Sequence, residues 1–304
     1  MSTTDTTVPT LRTALKSYPQ TQALLKGDVS SPRIKFDFQE IEPIHRAFKP
    51  MAEKQAFDVS EMAIFTYLQA KAFDKPLVLL PVVLAARLQH GCIVYNTDFH
   101  DKITPDMLPG KKVGVRAYSQ TTGAWVRNIL SQEHGVDLPS IRWITFEGAH
   151  LDAYKEPSFV TRAPEGGKDL LSMLMSGEVD AGILGNDLPD DPKIKPVIDN
   201  AAEAGRAWFA KHGLVPINHM LVVTKKLAQS HPDIVKEIYG LFKRSKAMAP
   251  VKAGAADMRP IGFEAISPSL ELVIDLAFAQ QIIPRRFSVS ELFEDARQIL
   301  GADA

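Results

Sequence analysis

Apolar and polar residues follow two different spacings along most of the chain, and the two spacings predict strands and helices in turn. Residues 34–41 alternate apolar and polar side chains, and residues 77–84 form a continuous apolar run typical of a buried strand. Shorter β-rich segments follow at 92–95 and 113–115. Strands that alternate with helices build mostly parallel sheets, so the pattern from residue 33 to about 227 predicts an α/β fold.

A second group of elements begins with a helix after Thr121. A strand is predicted at 141–146, a helix at 168–175 with Gly177 at its end, and a further strand at 179–184. Two segments dense in proline, glycine and charge are predicted to be surface loops, namely 154–167 and 189–196.

The last third of the chain is predicted to return to the first group of strands. Residues 214–223 form an extended apolar run long enough to cross back, and helices follow at 232–249 and 268–282.

The sequence therefore predicts two α/β lobes with a cleft between them. Lobe I comprises residues 1–116 and 220–304, and lobe II comprises residues 117–219. Ligands of α/β proteins bind at strand ends and in crevices between lobes, so the predicted cleft is the predicted binding site.

Composition narrows the partners to small molecules. The chain has 304 residues, 45% of them hydrophobic, and a formal net charge of -1, so no field of either sign favours nucleic acid or an anionic membrane. The single cysteine, Cys92, lies in an apolar run, which is typical of a small buried side chain. The N-terminus lacks the features of a secretory signal, and no apolar stretch is long enough to span a membrane, so we expect a cytoplasmic protein. The sequence is also consistent with an oligomer.

The turn between the strand at 113–115 and the following helix is a candidate anion site. It contains Ser119, Gln120, Thr121 and Thr122. The first turn of a helix has unpaired N–H groups and the positive end of the helix dipole, which together favour a carboxylate. The alternative is that Ser119 or Thr121 only caps the helix.

Three side chains are candidates for proton transfer. Glu61 is predicted near the start of a helix over 63–73, where it faces the cleft or serves only as a first-turn acid behind a Ser60 cap. His90 follows the buried strand at 77–84 together with Arg87, and its ordinary pKa suits a proton donor. His219 lies inside the apolar crossing segment, where a polar side chain needs a partner. The alternatives are that His90 is a surface residue and that His219 is an interior histidine with a hydrogen-bond partner, neither of them taking part in catalysis.

Other site signals are weaker. Asn186 follows a predicted strand and is either a ligand-binding side chain or part of a simple turn. The sequence has no local metal motif, which leaves only a long-range site built from Glu61, His90 and His219. It has no glycine-rich phosphate loop and no Gly-x-Ser-x-Gly elbow, and we predict no cofactor.

The chain resembles the 4,5-dihydroxyphthalate decarboxylase family over about residues 18–246. The segments that carry the resemblance are Ala23–Val29, Phe57–Met62, Leu80–Val82, Leu108–Val115, Gly177–Ala181 and Gly213–Met220. To these are added Tyr118, Thr121, Trp125 and Arg127, whose Tyr-x-x-Thr-x-x-x-Trp-x-Arg spacing is one of the more specific features.

The resemblance implies a type II periplasmic-binding-protein fold and a cytoplasmic enzyme that decarboxylates an aromatic acid without an oxidant. It carries over a set of site residues: Glu61, His90, Tyr118, Thr121, Trp125, Arg127 and His219. Tyr18 is a further candidate substrate-binding residue. The chain departs from the family at Tyr18-Pro19-Gln20, where the family has Tyr-Asp-Arg, and at 86–90, where only Arg87 stands as a shifted substitute for the family's arginines. Because arginine pairs bidentately with carboxylates, these losses weaken the case for a dicarboxylate substrate.

Three functions are consistent with the sequence. The first is decarboxylation of a hydroxylated aromatic or related acid, with His219, His90 or Glu61 as the proton donor. The second is binding of a small carboxylate without chemistry, as a transporter component or a sensor. The third is a biosynthetic enzyme that consumes a bound cofactor, which the missing phosphate motifs disfavour.

Overall fold

The computed structural model describes residues 8–185, 188–250, 254, 256–301 and 304. The strands, in chain order, are β1 (Thr10–Ala14), β2 (Lys35–Phe38), β3 (Val59–Ala63), β4 (Leu77–Ala86), β5 (Ile93–Asn96), β6 (Lys112–Val115), β7 (Arg142–Thr145), β8 (Val160–Arg162), β9 (Ala181–Ile183), β10 (Ile194–Pro196) and β11 (Ile217–Thr224). The helices are α1 (Gln22–Leu25), α2 (Phe48–Lys54), α3 (Ile64–Ala72), α4 (Thr121–His134), α5 (Leu170–Met175), α6 (Ala201–His212), α7 (Lys225–Ser230), α8 (Pro232–Ala247), α9 (Phe263–Ala279) and α10 (Val289–Leu300). Within the described part of the chain, no helix is both long and apolar enough to cross a membrane.

The chain divides into two compact units. Unit 1 comprises residues 1–86, 217–271 and 287–304, and unit 2 comprises residues 87–216 and 272–286. The predicted lobes differ from these units in three segments: residues 87–116 and 272–286 belong to unit 2, and residues 217–219 belong to unit 1. Strand pairing explains the first difference, since β5 and β6, which lie within 87–116, both pair with β9.

Unit 1 is built on a five-stranded sheet with the order β2-β1-β3-β11-β4. Strand β1 runs parallel to β2 and β3, whereas β11 returns antiparallel between β3 and β4. Helices α3, α8 and α10 pack against β4, which is buried along most of its length as its continuous apolar sequence predicts. The returning strand β11 therefore lies inside the sheet, where its side chains meet those of β3.

Unit 2 is built on a six-stranded sheet with the order β10-β5-β9-β6-β7-β8. Strands β6, β7, β8 and β9 are parallel, β5 pairs antiparallel with β9, and β10 pairs antiparallel with β5 at the edge. One cluster of its core is formed by Val94, Leu170, Leu174, Val179 and Leu184. The carboxyl ends of the parallel strands share one edge, which is where α/β proteins place ligands.

The α/β fold class is confirmed, and the main strands and helices of the sequence pattern are present within a few residues of their predicted bounds. Both segments predicted as loops contain a strand, however, namely β8 and β10. Each is a three-residue edge strand held by backbone pairing on one side, so its sequence has no apolar alternation to reveal it.

Glu61 lies in the middle of β3 rather than near a helix start. The helix begins at Ile64, and the Ser60 hydroxyl bonds the Glu61 carbonyl instead of capping the helix. The first-turn alternative for Glu61 is therefore wrong, because β3 continues through Ala63 in its pairing with β11.

Candidate active site

Glu61 is the polar centre of unit 1. Its side chain is completely buried in the central strand β3, and it accepts three hydrogen bonds. The Tyr18 hydroxyl donates to Oε1 at 2.5 Å, His219 Nδ1 lies 2.5 Å from the same oxygen, and the Lys16 backbone N–H donates to Oε2 at 3.0 Å. Donors to both oxygens satisfy a carboxylate that would otherwise be costly to bury.

The position of His219 follows from the register of β11 against β3. Leu221 is opposite Glu61 and His219 is opposite Ala63, so Glu61 and His219 lie on the same face of the sheet, two positions apart on neighbouring strands. The edge of the His219 ring packs against Phe48, with ring centroids 5.0 Å apart. Packing and a hydrogen bond thus fix the ring orientation.

The two ring nitrogens of His219 have different environments. Nδ1 lies 2.5 Å from the Glu61 carboxylate oxygen, whereas Nε2 has no hydrogen-bond partner among the described residues. The side chain keeps 19% of its surface exposed. A carboxylate behind one nitrogen leaves the other to exchange a proton with a bound molecule.

Tyr18 supports this pair from the loop after β1. Burial, followed by the neighbouring Glu61 carboxylate, raises the pKa of the Tyr18 phenol, which therefore remains a hydrogen-bond donor to Glu61. The predicted substrate-binding side chain is thus a positioning group for Glu61.

The candidate anion site of unit 2 is the first turn of α4. Its N-cap, Gln120, makes no side-chain capping hydrogen bond, and Ser119, Thr121 and Thr122 are buried. The Thr121 hydroxyl oxygen and Gln120 Oε1 are buried without a partner among the described residues. Neither Ser119 nor Thr121 caps the helix, so the capping alternative is wrong.

Arg87 brings positive charge to this turn. One of its Nη atoms donates to the Thr122 hydroxyl at 3.0 Å, and its Nε donates to Gln89 at 3.2 Å. Gly185, just after β9, has a positive φ of 66°, and a Cβ at that position would lie 2.8 Å from Arg87 Nη2. Because Gly185 has no side chain, the Arg87 guanidinium can pack directly against the backbone at that position. The turn, the helix dipole and Arg87 together suit a carboxylate.

His90 lies at the other end of α4. It is 2% exposed, and its Nε2 is 3.2 Å from Glu133 in the last turn of the helix. Twelve residues of helix separate Thr121 from Glu133, or about 18 Å at 1.5 Å per residue. Arg87 and His90 therefore contact opposite ends of α4, and the structure does not bring His90 to the anion site.

Three of the site residues that the resemblance implies are buried in the interior of unit 2. Trp125 is buried edge-on against Trp208, with centroids 6.1 Å apart. Arg127 is fully buried and donates to Gln280 Oε1 at 2.7 Å and to the Tyr118 carbonyl at 2.6 Å, with its guanidinium 3.9 Å from the Tyr118 ring centroid. Burial lowers the pKa of Arg127. Arg127 thus holds the Tyr118 turn in front of α4.

Tyr118 also lines a cavity of about 410 Å³ within unit 2. The other walls include Phe159, Gln280 and the carboxyl-terminal end of α4 from Ser131 to Gly135, so this cavity is distinct from the first turn of α4. Asn186 lies outside the described residues. Among the residues that the structure describes, no group of three or more His, Cys, Asp or Glu side chains could hold a metal ion.

Sequence reasoning missed Phe48, Gly185 and Gln20 as parts of these sites. Phe48 and Gly185 have no chemistry of their own, and their contribution depends on what a distant segment places beside them. Gln20 was visible only as a departure from a family motif, although its amide is buried and donates to the Leu84 carbonyl of β4.

The fold is of the periplasmic-binding type. The periplasmic aliphatic sulphonate binding protein SsuA from Escherichia coli superposes with a TM-score of 0.55 at 14% identity, over 94% of this chain and 97% of that chain. No protein-family model matches the chain.

In sequence, the chain is similar to 4,5-dihydroxyphthalate decarboxylases. It is 28% identical over 256 residues to the Comamonas testosteroni enzyme, covering 79% of this chain and 75% of the relative. It is 26% identical over 212 residues to the Pseudomonas putida enzyme, covering 66% of this chain and 81% of the relative. The resemblance to the 4,5-dihydroxyphthalate decarboxylase family is confirmed.

Proposed function

We propose that this protein is a carboxy-lyase that removes carbon dioxide, without an oxidant, from an aromatic acid bearing ring hydroxyls. The observation that carries the proposal is the buried Glu61–His219 pair, with 2.5 Å between Oε1 and Nδ1 and no partner on Nε2 among the described residues. The similarity to 4,5-dihydroxyphthalate decarboxylases supports the same reaction class.

The chemical step requires one proton and no electron acceptor. Protonated His219 delivers the Nε2 proton to the ring carbon that bears the leaving carboxylate, and the ring becomes a dienone-like cation stabilised by its hydroxyls. The bond from the ring to the carboxylate then breaks, its electron pair returns to the ring, and carbon dioxide leaves. His219 ends neutral and regains a proton from solvent. Glu61 holds the imidazole in place through its contact with Nδ1.

The first turn of α4 in unit 2 suits an acidic group that stays ionised. A carboxylate held by Arg87 and helix N–H groups is stabilised as an anion. We therefore propose that the α4 turn binds a carboxylate.

The direct test is incubation with 4,5-dihydroxyphthalate in D₂O. We expect release of carbon dioxide and formation of 3,4-dihydroxybenzoate with one deuterium at the carbon that lost the carboxylate. A product without deuterium at that carbon would contradict protonation by the enzyme in this step.

A second candidate function is binding of such an acid without chemistry, which the likeness to a sulphonate-binding protein favours. The same incubation, combined with a thermal-shift measurement, separates the two functions. Thermal stabilisation of the protein by 4,5-dihydroxyphthalate, with no carbon dioxide released, would identify a binding protein.

A further inference from the structure

Gln20 carries a buried hydrogen-bond acceptor without a donor among the described residues, two positions after Tyr18 in the chain. The residue is 5% exposed, and its Nε2 donates to the Leu84 carbonyl at 2.6 Å. That bond fixes which end of the amide is the oxygen, since a carbonyl accepts only from the NH₂ group. Oε1 is buried and has no partner among the described residues.

The position of Gln20 is set by an irregularity in the sheet of unit 1. His219 is opposite Ala85 and Met220 is opposite Val83, so β4 has one additional residue, Leu84, at this point. Its carbonyl receives the Gln20 amide. Two residues earlier in the chain, the Tyr18 hydroxyl donates to Glu61. Contacts on both sides therefore tie Gln20 to the residues that position His219.

An acceptor that is buried without a donor costs free energy of folding, and enzymes retain such groups where a ligand supplies the partner. An amide oxygen accepts from a hydrogen-bond donor and repels a carboxylate, whose oxygens are also acceptors. A ring hydroxyl is such a donor, whereas a carboxylate or a methyl group is not.

We propose that Gln20 determines substrate specificity by accepting a hydrogen bond from a ring hydroxyl of the aromatic acid. The inference rests on the proposed function for the identity of the ligand class. It also gives the hydroxyl a role in the reaction: the bond at Oε1 stabilises the positive charge that the hydroxyl takes up when the ring carbon is protonated. Gln20 then contacts substrate through a group that does not change covalently.

The test compares two acids of nearly the same shape, 4,5-dihydroxyphthalate and 4,5-dimethylphthalate. Binding is measured by calorimetry in a His219→Gln background, which removes turnover. Adding Gln20→Met, which preserves length but removes the amide, should weaken binding of the dihydroxy acid about tenfold and change binding of the dimethyl acid less than twofold. The matched control is Gln22→Met, the same exchange at an exposed position of α1, which should change neither.

Equal losses for the two acids, or no loss for the dihydroxy acid, would overturn the assignment. If Gln20→Met does not fold, the otherwise unaltered His219→Gln protein decides, because it must bind the dihydroxy acid at least tenfold more tightly than the dimethyl acid. Failure to bind either acid overturns the inference as well. If Gln20→Met weakens only the binding of the dihydroxy acid but the wild type releases no carbon dioxide, the proposed function alone is contradicted. If the wild type releases carbon dioxide but Gln20→Met weakens the binding of both acids equally, the role of Gln20 alone is contradicted.

Discussion

His219 Nδ1 lies 2.5 Å from Glu61 Oε1, across two antiparallel strands whose register places the residues two positions apart. The Glu61 side chain is fully buried, and the His219 side chain keeps about a fifth of its surface exposed. The pair therefore has an inner carboxyl group held by three hydrogen bonds and an outer imidazole whose second nitrogen can exchange a proton. This asymmetry is what general acid catalysis by a histidine needs.

Replacing His219 by Gln should remove the proton donor while keeping a polar side chain of similar size. We expect kcat to fall about 10²–10⁴-fold with little change in the affinity for 4,5-dihydroxyphthalate. Carbon dioxide release and calorimetry measure the two quantities separately. His231→Gln, at an exposed position before α8, is the control. A rate loss below about tenfold in His219→Gln would remove His219 from the acid role.

Replacing Arg87 by Gln should weaken the anion site at the first turn of α4. Loss of one hydrogen bond from a charged group costs about 1.5–3 kcal/mol, or roughly ten- to a hundredfold in the affinity for 4,5-dihydroxyphthalate. The loss should shrink at high salt. Arg206→Gln, at an exposed position of α6, should leave the affinity unchanged. An Arg87→Gln protein that binds as tightly as the control would contradict the site.

Gly185→Ala should disturb Arg87 in addition to straining the backbone. Its φ is 66°, and the new Cβ would lie 2.8 Å from Arg87 Nη2. Gly110→Ala is the matched control, because its φ is 77° but no atom lies within 4 Å of the added Cβ. Both changes should cost about 1 kcal/mol of unfolding free energy for the backbone, measured in urea, and only Gly185→Ala should also weaken binding of 4,5-dihydroxyphthalate. Equal affinities in the two variants would show that Arg87 adapts without cost.

Tyr18→Phe should change how stability depends on alkaline pH. The folded-state pKa of Tyr18 is raised, so its contribution is fully present below the unfolded-state pKa of about 10 and is lost as the pH rises above it. We expect the variant to be about 1–3 kcal/mol less stable at pH 7, with the difference narrowing above pH 10. Urea titrations from pH 7 to 11 measure this. A difference that stays constant across that range would contradict the buried Tyr18–Glu61 bond.

The sequence alone determined the fold class and the candidate proton donors. Continuous apolar runs such as 77–84 and the alternation of strand and helix patterns are local properties, so they predicted β4 and the α/β class directly. His219 stood out because a polar side chain inside an apolar strand needs a partner, and Glu61 is that partner. The short edge strands β8 and β10 escaped prediction because their pairing depends on backbone bonds to distant segments.

Only the tertiary structure decided which candidates act together. Arg87 and His90 are three residues apart, yet Arg87 contacts Thr122 at the start of α4 and His90 contacts Glu133 near its end. The partnership of Glu61 with His219 spans 158 residues and depends on the register of β11 against β3. Such register is set by the packing of whole elements, whereas a sequence pattern records only which face of each element is apolar.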